Sequence, residues 1–321
     1  MIDTKSLITP HLIRNKNFYV AYSGGVDSTV LLKEVCEAAK KVNCNVTAIH
    51  INHGYSKFSD NWEQHCEKFC IEHDYPLQKF SLNIAEAEGA SLESAMREKR
   101  YEIFQSLIGK NETLFMGHHL DDQIETLFFR ILRGSGLKGS SSIPFKRNLG
   151  KGLLVRPFLN LSKKEIYEIA KLKKLKFIED ESNKDIKFDR NFLRNEVIEK
   201  ISERWPNYRK SLSKYIENQK SSHEFLKEIT TIELKKILHG KNIDVNKLKK
   251  YDSKYQKILI LQWLEMNNCN SPSSSALDEL TKFFVSSEKT KEPKFIWGSK
   301  EKGNYICLKI KKGIISIESN P

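Results

Sequence analysis

Phe18-Tyr19-Val20-Ala21-Tyr22-Ser23-Gly24-Gly25-Val26-Asp27-Ser28 is the stretch on which the fold turns. Phe18–Tyr22 is a short apolar run of the kind that forms a buried strand. From Ser28 onward Leu32, Val35, Cys36 and Ala39 fall at i, i+3, i+4 and i+7, which makes a helix with one buried stripe. Between strand and helix, two glycines let the backbone turn tightly and aim successive N–H groups at one point. That is an anion nest at the positive end of a helix. Ser23 and Ser28 add hydroxyl donors, and Asp27 can hold a divalent metal, Mg²⁺, that bridges phosphates. An isolated Gly-Gly turn capped by Asp27 or Ser28 is a plain turn; the strand–loop–helix setting favours the phosphate reading. No GxxxxGK[ST] string occurs, so the loop is not of the Walker type.

Working outward, the same alternation continues. Strands are expected at Asn45–Ile51, Leu77–Leu82, Thr113–Met116 and Leu153–Val155. Helices are expected from Asn61 to His73, Leu92 to Ile108, Asp121 to Leu132, and Ser162 to about Lys174, the last opened by a Ser162/Glu165 capping box. This pattern predicts a Rossmann-like α/β fold, a parallel sheet with helices on both faces and its site at the carboxyl ends of the strands. A Gly/Ser-rich loop spans Arg133–Ser142. At Trp205-Pro206 the chain changes character: it is Lys-rich and helical to about Met266, broken at Asn270–Ser275, and strand-like from Pro293 to Ile317. The expected division is a first domain over residues 1–205 and a smaller, largely helical domain over 206–321 with a strand-rich end.

Composition narrows the partners. The 321 residues carry 54 Lys+Arg against 41 Asp+Glu, a formal +13, which either suits a polyanion, because neutralising phosphates releases condensed counterions, or simply keeps the protein soluble. Cys36, Cys44, Cys66, Cys70, Cys269 and Cys307 form no CxxC pair. Cys66 and Cys70, one helical turn apart, read as packing, and a reduced cytoplasm fits best. No stretch approaches the roughly 20 apolar residues of a membrane span, and the N-terminus has no signal-peptide core. The expectation is a soluble, cytoplasmic protein.

A second segment carries chemistry: Gly117-His118-His119-Leu120-Asp121-Asp122-Gln123-Ile124-Glu125-Thr126. Asp121 and Asp122 occupy a first helical turn, where the helix dipole favours carboxylates, and Glu125 follows four and three residues later. Without its context the segment is a set of caps and a solvated face.

These strings carry a resemblance. Ser23–Ser28 resembles the PP-loop of the N-type ATP pyrophosphatases, which split ATP between its α- and β-phosphates and adenylate an oxygen. His118–Thr126 resembles the HHxDDQxET motif of the tRNA(Ile)-lysidine synthases within that superfamily, and Leu132-Arg133-Gly134-Ser135-Gly136 is similar to their LRGxG. Ala48–Gly54, with His50, Asn52 and His53, resembles the second-strand segment that contacts nucleotide. Arg97–Tyr101 resembles the AR..RY segment. Asp180-Glu181-Ser182-Asn183 with Arg190-Asn191 and Arg194 resembles DxSN…RNxxR. On the helical wheel Arg100 lies inside the stripe Met96, Ile103, Phe104, Leu107. A guanidinium there needs a carboxylate or phosphate partner, and Arg100 is expected to point towards the Asp122/Glu125 cluster or a phosphate. Arg97 lies at the edge of the stripe.

The resemblance implies ATP as co-substrate, Mg²⁺, L-lysine, and a tRNA(Ile) with a CAU anticodon. The cytosine C2 oxygen is adenylated with loss of pyrophosphate, and the lysine ε-amine then displaces AMP. It implies that Ser23–Ser28 and Gly117 hold nucleotide with His50, Asn52, His53, Arg133 and Gly134. Asp122 and Glu125 are candidates for the cationic lysine; Asp121, His118 and His119 for metal or proton-transfer roles; Arg97, Arg190 and Arg194 for tRNA or substrate contact. Lys235, Lys236, Lys247, Lys249 and Lys250 are expected to rest on the tRNA stem. Many members of the family continue into a further C-terminal domain, and this chain is expected to stop before it, as a short form or a truncated piece. Three readings stay open: a lysidine synthase, another PP-loop enzyme such as a tRNA 2-thiolase or a small-molecule synthetase, and a tRNA-binding relative without catalysis. The absence of CxxC disfavours the iron–sulfur thiolases. The sequence leaves open whether the chain is a monomer or a homodimer.

Overall fold

The computed structural model describes residues 3–13, 16–54, 58–82, 90–179, 185–286, 294–299 and 304–318. Two compact units divide the chain, Met1–Lys220 and Ser221–Pro321. The division falls inside a helix that begins just after the Trp205-Pro206 break.

In the first unit the strands are β1 (Asn17–Ala21), β2 (Asn45–Asn52), β3 (Leu77–Ser81), β4 (Thr113–Phe115), β5 (Lys146–Leu149) and β6 (Gly152–Val155). The helices are α1 (Thr4–Ile8), α2 (Val26–Val42), α3 (Ser59–His73), α4 (Ala90–Leu107), α5 (Leu120–Leu132), a single turn α6 (Leu137–Ser140), α7 (Lys163–Leu172), α8 (Asp189–Phe192) and α9 (Glu199–Arg204). A π-helical stretch, Leu193–Ile198, joins α8 to α9.

The sheet runs β3-β2-β1-β4-β6-β5, parallel throughout except for β5, which pairs antiparallel with β6. The expected parallel sheet is there, with β5 as an edge strand that the sequence reading did not foresee. Lys146, Arg147 and Asn148 are exposed, and so polar a strand carries no alternating apolar signal.

Both faces of the sheet are covered, which is why the inner strands β1, β4 and β6 are near-continuous apolar runs. On β1 the alternation of side chains sends Phe18 and Val20 into one core with Val30, Leu31 and Val35 of α2, Phe69 of α3 and Ile166 of α7. Tyr19 and Ala21 pack on the other core with Tyr101, Phe104 and Ile108 of α4 or its end. Cys66 and Cys70 are buried in the first of these cores as free thiols, as packing predicts.

The chain winds from β1 outward through β2 and β3, then returns through α4 to place β4 on the opposite side of β1. The gap between the carboxyl ends of β1 and β4 is thus a topological switch point, where open α/β sheets bind ligands. The Ser23–Ser28 loop follows β1 and Gly117–His119 follows β4, so both motifs arrive there.

The second unit holds most of α10 (Tyr208–Ile237), then β7 (Leu238–His239), β8 (Asn242–Asp244), α11 (Val245–Leu248), α12 (Ser253–Met266), α13 (Ser274–Ser286), β9 (Lys294–Ser299), β10 (Asn304–Lys311) and β11 (Ile314–Glu318). Its strands form an antiparallel sheet ordered β7-β8-β11-β10-β9 over a core that includes Leu259, Trp263, Leu280, Leu308 and Ile315. The stretch expected to be helical to Met266 is therefore interrupted: Gly240, at φ +62°, closes a hairpin between β7 and β8. Among the described residues no helix is long and apolar enough to cross a membrane.

Candidate active site

Gly25 is the N-cap of α2 and brings no side chain to it, which leaves the first-turn N–H groups of a 17-residue helix facing the loop. The loop is braced from within. Ser28 Oγ accepts from Ser23 N at 3.2 Å and donates to the Gly25 carbonyl at 3.0 Å, while Thr29 Oγ1 donates to the same carbonyl at 2.9 Å. Ile178 supports it from outside, its N–H donating to the Gly24 carbonyl at 2.9 Å. Gly24 sits at φ +85°, and a Cβ there would stand 2.9 Å from both Cys66 Sγ and Ile178 Cδ1. At Gly117 the close approach is to the loop itself: a Cβ would lie 3.1 Å from the Asp27 carbonyl carbon and oxygen. The end of β4 and the start of α2 are that near.

Asp27 Oδ1 is buried and accepts no hydrogen bond; His119 Nε2 lies 3.7 Å from it. Burial pushes the Asp27 carboxyl up, and Asp122 adds to this, while His119, Lys163 and Arg194 pull it down. His119 caps α5 in a reciprocal box with Asp122: its N–H donates to Asp122 Oδ2 at 2.9 Å, and its Nδ1 accepts from Asp122 N at 3.4 Å.

The carboxylates of α5 are engaged unequally. Glu125, 1% exposed, takes Arg190 Nε on Oε2 at 3.0 Å and Arg194 Nε on Oε1 at 2.6 Å. Asp121 accepts the Lys163 backbone N–H at 2.8 Å, which opens α7, and Arg209 Nε of α10 at 2.7 Å. Among the described residues, the hydrogen-bond partner of Asp122 Oδ1 is Arg190 Nη2, at 3.5 Å. Burial pushes its carboxyl up, but the neighbouring His119 and His118 rings, the Arg190 guanidinium and the His119 N–H outweigh this and hold it below the usual aspartate range.

A model of the PP-loop domain family matches residues 2–201. The tRNA(Ile)-lysidine synthase of Coxiella burnetii is 32% identical over 269 residues, covering 84% of this chain and 60% of the relative. The tRNA(Ile)-lysidine synthase of Buchnera aphidicola (strain Sg) is 34% identical over 314 residues, covering 95% of this chain and 69% of the relative. The chain belongs to the PP-loop family that includes these synthases. It spans about three fifths to two thirds of the length of these relatives. The U34-tRNA thiolase NcsA of Methanococcus maripaludis, solved with its [4Fe-4S] cluster, shares the fold at TM-score 0.53 and 19% identity, covering 67% of this chain and 77% of that one.

His50 is buried with Nδ1 3.0 Å from the Tyr22 carbonyl, and Asn52 donates to Glu63 Oε2 at 3.0 Å while accepting from Gly54 N at 2.9 Å. Both hold the end of β2 to its neighbours. His53 is half-buried with Nδ1 making no hydrogen bond, and burial, then Arg100 and His50, lower its pKa to about 4. Arg133 and Gly134 are exposed beyond the carboxyl end of α5, with the Arg133 guanidinium 3.8 Å over the Phe129 ring.

Arg100 is half-buried, as its place in the stripe predicts, and its charge acts on His53 and His118. From the sequence, Arg100 is expected to face Asp122 and Glu125 or a phosphate; the guanidiniums that pair with these two carboxylates are those of Arg190 and Arg194. Arg97 is exposed, 5.3 Å over the Tyr101 ring. Residues 180–184, which carry the Asp180–Asn183 motif, lie outside the described residues.

Two residues that the sequence reading missed belong here. Arg209 lies past the expected domain boundary. Arg156 is 2% exposed and donates to His118 Nδ1 at 3.1 Å. It had a signal: a lone cation directly after the apolar run Leu153–Val155, at a strand's carboxyl end.

Proposed function

We propose that this chain is an ATP-dependent lysidine synthase acting on the wobble cytidine of a tRNA(Ile) with a CAU anticodon. The observation that carries the reading is the meeting of Ser23–Ser28 with the His118–Glu125 segment at one switch point. The family's ATP use gives the loop its ligand, with the pyrophosphate on the first-turn N–H groups of α2. Asp27, with a buried oxygen that accepts nothing, fits a Mg²⁺ ion, which usually takes one or two protein carboxylates and completes its shell with phosphates and water. Bound there, the ion would offset charge developing on the leaving pyrophosphate.

The cytosine C2 oxygen attacks the α-phosphorus, pyrophosphate leaves, and the lysine ε-amine then attacks C2 and expels AMP. The amine must arrive neutral or lose a proton at the site. Glu125 and Asp121 are committed to guanidiniums, so Asp122 is the α5 carboxylate left to receive the cationic lysine. The second unit, with Lys235, Lys236, Lys247 and Lys250 exposed, rests on tRNA phosphates, and its binding weakens steeply with salt.

The deciding experiment supplies ATP, Mg²⁺, labelled lysine and unmodified tRNA(Ile) bearing CAU. Lysine-dependent AMP release with label in the tRNA is the expected result. Thiolation without label, or no turnover, overturns the reading.

A further inference from the structure

Arg156 follows β6 and is almost wholly enclosed. Its Nε donates to His118 Nδ1 at 3.1 Å and its Nη1 to the Pro144 carbonyl at 2.8 Å. Burial lowers its pKa to about 10, which leaves it cationic near neutrality. A guanidinium offers donors and no acceptor, so the ring nitrogen facing it must present a lone pair. The ring hydrogen of His118 is then on Nε2. A second proton would set N–H against N–H and add a buried positive charge beside another.

The surroundings act in the same direction. Burial lowers the His118 pKa to about 3, helped by Arg156, Arg190 and Arg100 and opposed by Asp122. His118 is half-buried, and among the described residues its Nε2 makes no hydrogen bond. An N–H so held and left free is a donor waiting for an acceptor.

We propose that Arg156 is a positioning residue that locks His118 as the neutral Nε2–H tautomer, making it a fixed donor to a substrate oxygen and not the base that deprotonates the attacking amine. The acceptor is a carbonyl, carboxylate or phosphoryl oxygen. Only the identity of that substrate rests on the function proposed above.

Long-range ¹H–¹⁵N spectra of the ¹⁵N-histidine-labelled chain read the tautomer directly, with His118→Gln assigning the signal. The expected spectrum shows Nδ1 unprotonated and Nε2 protonated from pH 5.5 to 8, without titration. A protonated Nδ1, or a ring that titrates in that range, overturns the proposal, and this holds for the wild type whatever the variants do.

Arg156→Met should release the ring into both tautomers, make it titrate, lower kcat by about 10²-fold and add an acidic limb to the pH profile; Arg156→Lys should restore part of each. A folded Arg156→Met protein with unchanged tautomer and profile overturns the proposal. His118→Leu distinguishes the oxygen: a raised KM for lysine assigns the amino-acid carboxylate, a raised KM for tRNA assigns a base or phosphate. No change in kcat or either KM contradicts the donor role. A chain that shows this tautomer yet makes no lysidine keeps the dyad and sinks the assigned reaction.

Discussion

Arg194 grips Glu125 with two hydrogen bonds, Nε to Oε1 at 2.6 Å and Nη2 to Oε2 at 2.9 Å, around a carboxylate that is almost fully buried. Arg190, one turn earlier, shares Oε2. The two guanidiniums thereby fasten α8 and the π-helical stretch to α5. π-helical turns recur at functional sites, and Arg194 stands in this one.

Taking one member from a buried ion pair leaves a charge without compensation, at a cost of about 3–5 kcal/mol. Glu125→Gln should therefore lower the free energy of unfolding by about 3 kcal/mol at neutral pH. Arg194→Lys keeps the charge but loses the two-pronged geometry and should cost less. Urea denaturation of the three proteins measures both, and an unmoved Glu125→Gln midpoint would show that the carboxylate is not what fastens the segment.

Gly24→Ala tests the loop. At φ +85° an added Cβ is strained by about 1–2 kcal/mol before its contacts with Cys66 and Ile178 are counted. The main consequence falls on the nest, whose N–H groups point correctly only while Gly24 holds that conformation. ATP affinity, read by equilibrium dialysis, should drop at least tenfold while most of the stability remains.

Asp27→Asn keeps the shape of the side chain and removes its charge. If the buried oxygen holds the ion that accompanies the phosphates, pyrophosphate release with tRNA present should fall by about 10²- to 10³-fold, the usual loss when one preorganised electrostatic contact is removed. Retention of the wild-type rate and of its Mg²⁺ dependence would assign the metal elsewhere.

Much of this site is local in the chain, and that part was legible. Ser23–Ser28 is one turn between one strand and one helix, and His119 and Asp122 meet through a cap that sequence spacing describes. The unforeseen contacts are those that join distant segments. Arg194 reaches Glu125 across 69 residues and Arg209 reaches Asp121 across 88, and periodicity carries no record of such meetings. Arg100 illustrates the limit: its stripe correctly placed it inside, yet the cations on Glu125 come from α8 and the π-helical stretch. The edge strand β5 and the short β7–β8 hairpin escaped because polar strands of two to four residues leave no alternation to find.

The buried histidines set the acid limb of stability. His53 and His118 have folded pKa values of about 4 and about 3, both below the 6.5 of an unfolded histidine. Between pH 6.5 and 4 the unfolded chain takes up protons that the folded chain refuses, so unfolding is favoured as pH falls, by up to about 1.4 kcal/mol per pH unit for each such proton. His11, His50 and His65, whose pKa values burial also lowers, add to the slope. Asp27 works against it, since its raised carboxyl is protonated more readily in the folded chain. Asp122, held low, contributes only further down, its stabilisation being lost as pH falls below the ordinary aspartate range. Urea midpoints measured at pH 7, 6 and 5 should fall steadily for the wild type and less steeply for His53→Gln/His118→Gln. A wild-type slope no steeper than that of the double variant would mean that these rings are protonated in the folded chain, and the Arg156–His118 contact could not then be the neutral hydrogen bond its geometry describes.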